Sequence, residues 1–320
     1  MKKIALVLPY FGKFKNYFPL WVNSCRNNPT IDWFIYTDQS FDFLLPANIF
    51  VKKISFNQFK EKLQNIFDFT ICLDKPYKLC DFKPTYGLAL KEELKNYDFW
   101  GYCDCDLIFG DIRKFVTEEI LNKYDKLFTR GHFSLYKNTE EVNSFFKKQQ
   151  YHDYKEVLQS PKSFAFDEWG GVSKFWDLSG QPYYDDLVYD DIRGNLDGFH
   201  TTKENSGWGN PYHRYNDISQ AKNFRQMKNI IYSYEQGKLY RVYNYKSTIQ
   251  QQEILYVHFK KRNMNIDANL NTTKFFIVPN AFKIPYDLAI ANLKFLSPNR
   301  MTTKNMVSYF KQIIHSILKK

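Results

Sequence analysis

The 320-residue chain contains no apolar run approaching the roughly 20 residues that a transmembrane helix needs, so it is not expected to cross a bilayer as a helix. Its opening Met1-Lys2-Lys3 followed by Ile4 to Leu8 imitates a secretory signal. The apolar stretch stops at Pro9 without a small-residue cleavage site, and secretion is not expected. Cysteine is sparse, with five residues at 25, 72, 80, 103 and 105. That odd set holds no Cys-x-x-Cys pair, which argues against a disulfide framework and a zinc knuckle and points to a reducing cytoplasm. Gly-x-Gly-x-x-Gly, the Walker pattern, internal repeats and low-complexity linkers are all missing.

What is present is a soluble-type composition with 44% hydrophobic residues, enough for one large core or two modest ones. The net charge of +11 and a pI near 9.1 invite a nucleic-acid partner. The lysines, however, are scattered among Asn, Ile, Phe and Tyr, as an AT-rich genome would place them. What remains is a preference for smaller anionic partners, such as nucleotide diphosphates or an acidic membrane face.

Ile4 to Leu8 reads as a buried strand, followed by the turn-rich loop Pro9-Tyr10-Phe11-Gly12-Lys13. Phe18, Trp21, Val22 and Cys25 repeat at helical spacing, Trp33 to Tyr36 read as a strand ending in Thr37-Asp38, and Val51 to Ile54 as a third strand. Phe56, Phe59, Leu63, Ile66 and Phe67 mark the next helix. This alternation predicts an α/β fold with a mostly parallel sheet covered on both faces, whose ligands bind outside the carboxyl ends of the strands. A charged loop from Asp74 then leads into a helix expected from about Thr85 to Lys95. Pro84 and Thr85 at its start, with Lys78 and Lys83 nearby, would suit a phosphate group; a solvated surface loop is the alternative. Ile112 to Tyr124 reads as helix, Lys126 to Thr129, Leu239 to Tyr243 and Glu253 to Phe259 as strands. The span from Tyr151 to Tyr215 looks irregular, as the substrate side of a cleft often does.

The chain is organised around Tyr97 to Asp111, where the apolar run Phe99 to Cys103 drives into Asp104 and Asp106 and turns at Gly110. On an extended backbone these two carboxylates face the same way, roughly 7 Å apart. Two hard oxygen donors at the end of a core strand suit Mg²⁺ or Mn²⁺ carrying a diphosphate, whereas an acidic turn is the plainer alternative. A calcium loop is disfavoured because Ile108 stands at the next ligand position. Two further acids, Asp167 and Glu168, lie between Phe166 and Trp169 ahead of a helix-like run to Leu178. An acid walled by aromatics has its pKa pushed up, which suits a general base; a helix N-terminus would explain the same acids without chemistry. His258, expected to be exposed at a strand end, could complete a metal site, and Lys260, Lys261 and Arg262 could hold phosphate oxygens. At the C-terminus Met306 to Leu318 form an amphipathic helix with lysines, which would either pack on the core or lie on an anionic membrane.

The set Asp81-Phe82-Lys83-Pro84 with Gly87, Phe99 to Leu107 including Asp-Cys-Asp, and Phe166-Asp167-Glu168-Trp169 resembles bacterial nucleotide-sugar glycosyltransferases of the GT-A fold from capsule and O-antigen clusters. The resemblance covers most of the first 260 residues. It implies an open, Rossmann-type sheet in a catalytic domain of residues 1–290, with a nucleotide-sugar half (1–130), an acceptor half (131–290) and a helical tail (291–320). It also implies Mn²⁺ or Mg²⁺ on Asp104 and Asp106 with His258. Pro9, Tyr10, Phe11, Gly12, Thr37 and Asp38 would hold the nucleoside of a UDP-sugar, galactose in pyranose or furanose form being plausible from relatives. The acceptor would be a saccharide, lipid-linked or free, with the enzyme cytoplasmic or peripheral on the inner membrane face. His258 is followed by Phe259-Lys260-Lys261-Arg262 and lacks the Gly and Lys-Pro-Trp of retaining members, so inversion with Asp167 or Glu168 as base is expected. Rival expectations are a retaining enzyme of the same fold, a sugar nucleotidyltransferase, a nucleic-acid binder with steep salt dependence, and a non-catalytic carbohydrate-binding module.

Overall fold

A computed structural model describes residues 1–148, 152–168, 171–192, 227–285 and 287–297. The chain forms two compact units, each woven from three segments. Unit 1 comprises Met1–Phe14, Asn28–Cys105 and Arg113–Leu187; unit 2 comprises Lys15–Asn27, Asp106–Ile112 and Val188–Lys320. In chain order the strands are β1 (Ile4–Pro9), β2 (Ile31–Thr37), β3 (Ile49–Lys53), β4 (Phe99–Cys103), β5 (Leu107–Phe109), β6 (Lys126–Arg130), β7 (Phe133–Lys137) and β8 (Tyr183–Tyr184). There follow β9 (Asp190–Asp191), β10 (Lys228–Glu235), β11 (Lys238–Tyr245), β12 (Thr248–Glu253), β13 (Tyr256–His258), β14 (Asn265–Ile266), β15 (Lys274–Val278) and β16 (Ala281–Lys283). The longer helices are α1 (Phe18–Arg26) and α2 (Phe56–Gln64).

Unit 1 is built on a seven-stranded sheet in the order β3-β2-β1-β4-β7-β6-β8. Four of its six pairings are parallel, and β4-β7 and β7-β6 are antiparallel. The inner strand β1 is apolar at every position from Ile4 to Leu8 and is buried over that stretch, as befits a parallel strand covered on both faces. α2 begins with a reciprocal cap, in which the Ser55 hydroxyl accepts from Gln58 N at 3.2 Å and the Gln58 side chain accepts from Ser55 N at 2.8 Å.

Gly101 lies in mid-β4, where a Cβ would stand 2.2 Å from the Ser134 carbonyl on β7. The strand can approach its partner only without a side chain there. Gly101→Ala is therefore expected to cost at least about 2 kcal/mol through overpacking, measured as a shift in the urea midpoint at unchanged slope.

Two expected helices are broken. The segment before Tyr86 is a 3₁₀ helix, Pro76–Thr85, and only two short turns follow, Tyr86–Ala89 and Lys91–Leu94. Pro84 and Thr85 are buried inside it, and the Thr85 hydroxyl donates to Phe82 O at 2.8 Å instead of capping a helix, so no phosphate-binding helix start exists there. Ile112 to Tyr124 splits into Ile112–Phe115 and Glu118–Lys123 because Thr117 caps a new helix through Ile120 N.

Unit 2 departs from the expectation of a mostly parallel architecture. Its six-stranded sheet, ordered β12-β11-β10-β15-β16-β14, is antiparallel in four of its five pairings. Two-residue turns join β10 to β11 and β11 to β12. In both, the central pairs Gln236-Gly237 and Lys246-Ser247 have positive φ, the twist that tight hairpins require. The expected strand Glu253 to Phe259 is two strands: β12 ends at Glu253, Ile254 and Leu255 cross over, and β13 joins β5 and β9 in a separate three-stranded sheet. The span read as irregular contains the helices Tyr154–Gln159 and Val172–Ser179. Trp169, Tyr215 and the tail expected to be helical from Met306 to Leu318 lie outside the described residues. Among the described residues no helix is long and apolar enough to cross a membrane.

Candidate active site

In unit 1 the strand order reverses beside β1: β2 and β3 lie on one side, β4 on the other, all parallel. Such a switch point opens a crevice at the carboxyl ends of the strands, here Pro9 of β1 and Cys103 of β4. The loop after β1 is pinned by Tyr10 N donating to Tyr36 O at 2.8 Å and by Gly12 N donating to an Asp38 oxygen at 3.3 Å. Gly12 has φ +106°, which a side-chain-bearing residue would adopt only under strain. The Gln39 amide donates to Asp38 and holds its carboxyl below the usual range.

Tyr10 stacks on Phe14 at 4.3 Å, and Phe41 and Phe43 continue the run at 5.5 and 5.6 Å, each ring partly exposed. Phe14, Phe41 and Phe43 were not singled out from sequence, where only their aromatic character signalled them. Phe11 instead packs inward on Phe56 and Phe59. Thr37 is fully buried, its hydroxyl accepting from Gln39 N.

Asp104 follows β4, its amide donating to His132 O at 3.0 Å. Its carboxylate meets Lys83 Nζ at 2.8 Å, and Lys83 also reaches Asp167 at 3.2 Å and donates to Gly131 O at 2.7 Å. Burial alone would lower the Lys83 pKa, yet Asp104 and Asp167 together raise it well above the lysine range. Lys83 is thus a buried cation between two acids and not a surface lysine awaiting phosphate.

Asp167 is 3% exposed, and burial pushes its carboxyl up to about 7, with Lys83 opposing and Glu168 adding to the rise. The adjacent helix starts only at Val172, so the two acids do not cap it. Glu168 is half-buried. Beneath Asp167 runs a buried polar chain. Lys126 Nζ donates to Tyr136 Oη at 3.1 Å, Tyr136 and Tyr102 hydroxyls are 3.3 Å apart, and Tyr102 donates to Asp167 O at 3.0 Å. Lys78 is likewise buried: its ammonium donates to Asp81, Val157 O and Lys162 O, and it is no surface phosphate contact.

Unit 2 begins its middle segment at Asp106, after a bend at Cys105 and Asp106 that ends the strand's regular alternation. Asp106 Oδ1 lies 3.3 Å from His258 Nε2, and its Oδ2 accepts from Lys261 N at 2.5 Å. His258 is buried, at 7% exposure, and not exposed as its strand-end position suggests. Its Nδ1 lies 2.9 Å from Asp191, which also binds Lys260 at 2.8 Å. Burial lowers the His258 pKa, but Asp106 and Asp191 outweigh it and raise it to about 10, so the ring carries a proton at neutral pH.

Lys260 and Lys261 both have positive φ, of 49° and 60°. Their strained turn brings the Lys261 amide to Asp106. Arg262 is buried and donates to Asn280 at 3.2 Å, so the three cations do not form one surface cluster. Behind Asp191, its neighbour Asp190 is fully buried and bidentate to Arg241, with Tyr232 Oη donating at 3.0 Å. Neither aspartate was identified from sequence, since an Asp-Asp pair in an irregular span carries no distinguishing pattern.

The donor set around His258 fits a divalent cation. A carboxylate oxygen and an imidazole nitrogen 3.3 Å apart have the spacing of neighbouring ligands on one ion with bonds of about 2.1 Å. A carboxylate on the far ring nitrogen is the usual support for a metal-bound histidine. The mixed N/O set suits Mn²⁺ better than Mg²⁺.

The described residues thus make a mixed α/β protein with an acid-lysine cluster in unit 1 and an aspartate-histidine pair in unit 2. Residues 6–285 match DUF6625, a family of unknown function, and the chain belongs to that family. Comparison with the curated proteins finds no match.

Proposed function

We propose that this chain is a metal-dependent, GT-A-like glycosyltransferase that moves a sugar from a UDP-sugar to a saccharide acceptor, free or lipid-linked, with inversion at the transferred carbon. The observation that carries the reading is the Asp106–His258 pair, backed by Asp191 and reached two residues after Asp104 at the end of a core strand. Asp106 and His258 would hold Mn²⁺ or Mg²⁺. The bound ion would supply charge neutralisation for a departing nucleoside diphosphate.

The chain's own residues carry the other roles. The rings of Tyr10, Phe14 and Phe41 offer faces for a nucleobase, and ionised Asp38 offers acceptors for ribose hydroxyls. Lys260, partly exposed on Asp191, adds positive charge for phosphate oxygens. Asp167, poised near neutrality by burial, would take the proton from the attacking acceptor hydroxyl. Lys83 holds that carboxylate in place. Glu168 is the less buried neighbour and the less favoured base.

Thermal denaturation against a nucleotide panel with and without Mn²⁺ tests the reading. At a UDP concentration about 100-fold above its dissociation constant, UDP with Mn²⁺ should stabilise the protein by about 2.7 kcal/mol. UDP without metal should do far less. Stabilisation by glycans alone, indifferent to metal and nucleotide, would replace the enzyme with a carbohydrate-binding protein.

A further inference from the structure

The 3₁₀ segment Pro76–Thr85 grips the loop that carries Asp167 at two points. Lys83 binds the Asp167 side chain at 3.2 Å. Two residues earlier, Asp81 is fully buried and takes the loop's backbone: Phe164 N donates to it at 3.0 Å and Phe166 N at 2.9 Å. Lys78, one 3₁₀ turn before Asp81, neutralises that carboxylate at 2.7 Å and donates to Val157 O and Lys162 O on the same approach to the loop. Between the two bound amides, Ala165 is exposed and holds φ +50°, a conformation that non-glycine residues adopt at a cost. An amide on either side of a left-handed residue, both aimed at one carboxylate, makes a small anion-binding nest. Here the anion is the protein's own.

We propose that Asp81 is a positioning residue: its carboxylate locks the backbone of residues 164–166 and so fixes where the Asp167 carboxyl stands against Lys83. The clamp is a property of the fold; its effect on rate rests on the glycosyltransferase reading, in which Asp167 is the base. The arrangement separates two duties within one tripeptide, since Asp81 holds main chain and Lys83 holds side chain. Neither contact involves Glu168.

Two substitutions loosen the clamp by different routes. Asp81→Asn removes the charge that receives the amides. Ala165→Val leaves every charge in place but puts a β-branched residue at positive φ on an exposed site, so it acts through the backbone alone. Ala165→Gly accepts that φ and serves as the control. The first measurement is the pH titration of the Asp167 carboxyl ¹³C resonance, which needs no substrate.

In the wild type it should titrate well above the ordinary aspartate range. In folded Asp81→Asn and Ala165→Val the midpoint should fall towards that range, while Ala165→Gly matches the wild type. The second measurement is sugar-nucleotide turnover. The two loosened variants should lose about 10–100-fold in kcat, with KM for the donor within about twofold. An Asp167 titration unchanged in folded Asp81→Asn overturns the proposal. If Asp81→Asn does not fold, an unchanged titration in Ala165→Val does the same. A titration that falls in the two loosened variants while the wild type turns over no sugar nucleotide would leave the clamp standing and remove the glycosyltransferase.

Discussion

Asp106→Asn should reduce metal-dependent sugar-nucleotide turnover by at least about 10²–10³-fold. Asparagine keeps the volume and one acceptor oxygen, so the Lys261 amide, 2.5 Å from Asp106 Oδ2, retains a partner. What disappears is the negative charge beside His258 Nε2. His258→Ala should be as damaging. Asp191→Asn, which leaves both proposed ligands and removes the charge behind the ring and beside Lys260, should cost about 10–100-fold in metal affinity. Mn²⁺ titrations followed by electron paramagnetic resonance would rank the three. Because His258 is protonated in the metal-free protein, binding has to expel that proton, and affinity should rise with pH below about 10. Turnover that survives both Asp106→Asn and a chelator would refute the assignment.

The second large effect belongs to Asp167. As a base it works only ionised, and burial raises its pKa to about 7. The kcat should therefore climb with pH through neutrality and fall about tenfold for each unit below. Asp167→Asn should lower kcat by about 10²–10⁴-fold and abolish that limb, whereas Glu168→Gln should leave the limb in place. A profile flat from pH 5 to 8 in the wild type would show that no group with this titration limits the rate. The same profile in Asp167→Asn as in the wild type would move the role elsewhere.

Much of unit 1 was legible because its signals are local. β1, β2 and α2 follow from apolar runs and from apolar residues at helical spacing, and each is found within a few residues of its expected place. The apolar approach to Asp104 was equally clear, since Phe99 to Cys103 is buried at every position. Unit 2 was harder to read for specific reasons. β12 is an edge strand whose Gln250-Gln251-Gln252 offers no apolar alternation, and the turn before it uses Lys246-Ser247 where Asn-Gly would announce a hairpin. His258 looked exposed because what buries it comes from distant parts of the chain: β5 pairs with β13 on one side and β9 on the other. The cations after it looked like one cluster, but the positive φ of Lys260 and Lys261 sends Arg262 inward, and no residue type there announces that turn.

β9 is only two residues long, and its members have opposite fates: Asp190 meets Arg241, and Asp191 meets His258 and Lys260. Sliding so short a ribbon by one residue would bring Asp190 into the place of Asp191 and Tyr189 into the place of Asp190. Arg241 makes that slide prohibitive, because its buried charge would lose its carboxylate. Arg241 thus acts as a bolt that sets the phase of the ribbon, and drift at position 241 would be felt first as a misaimed imidazole.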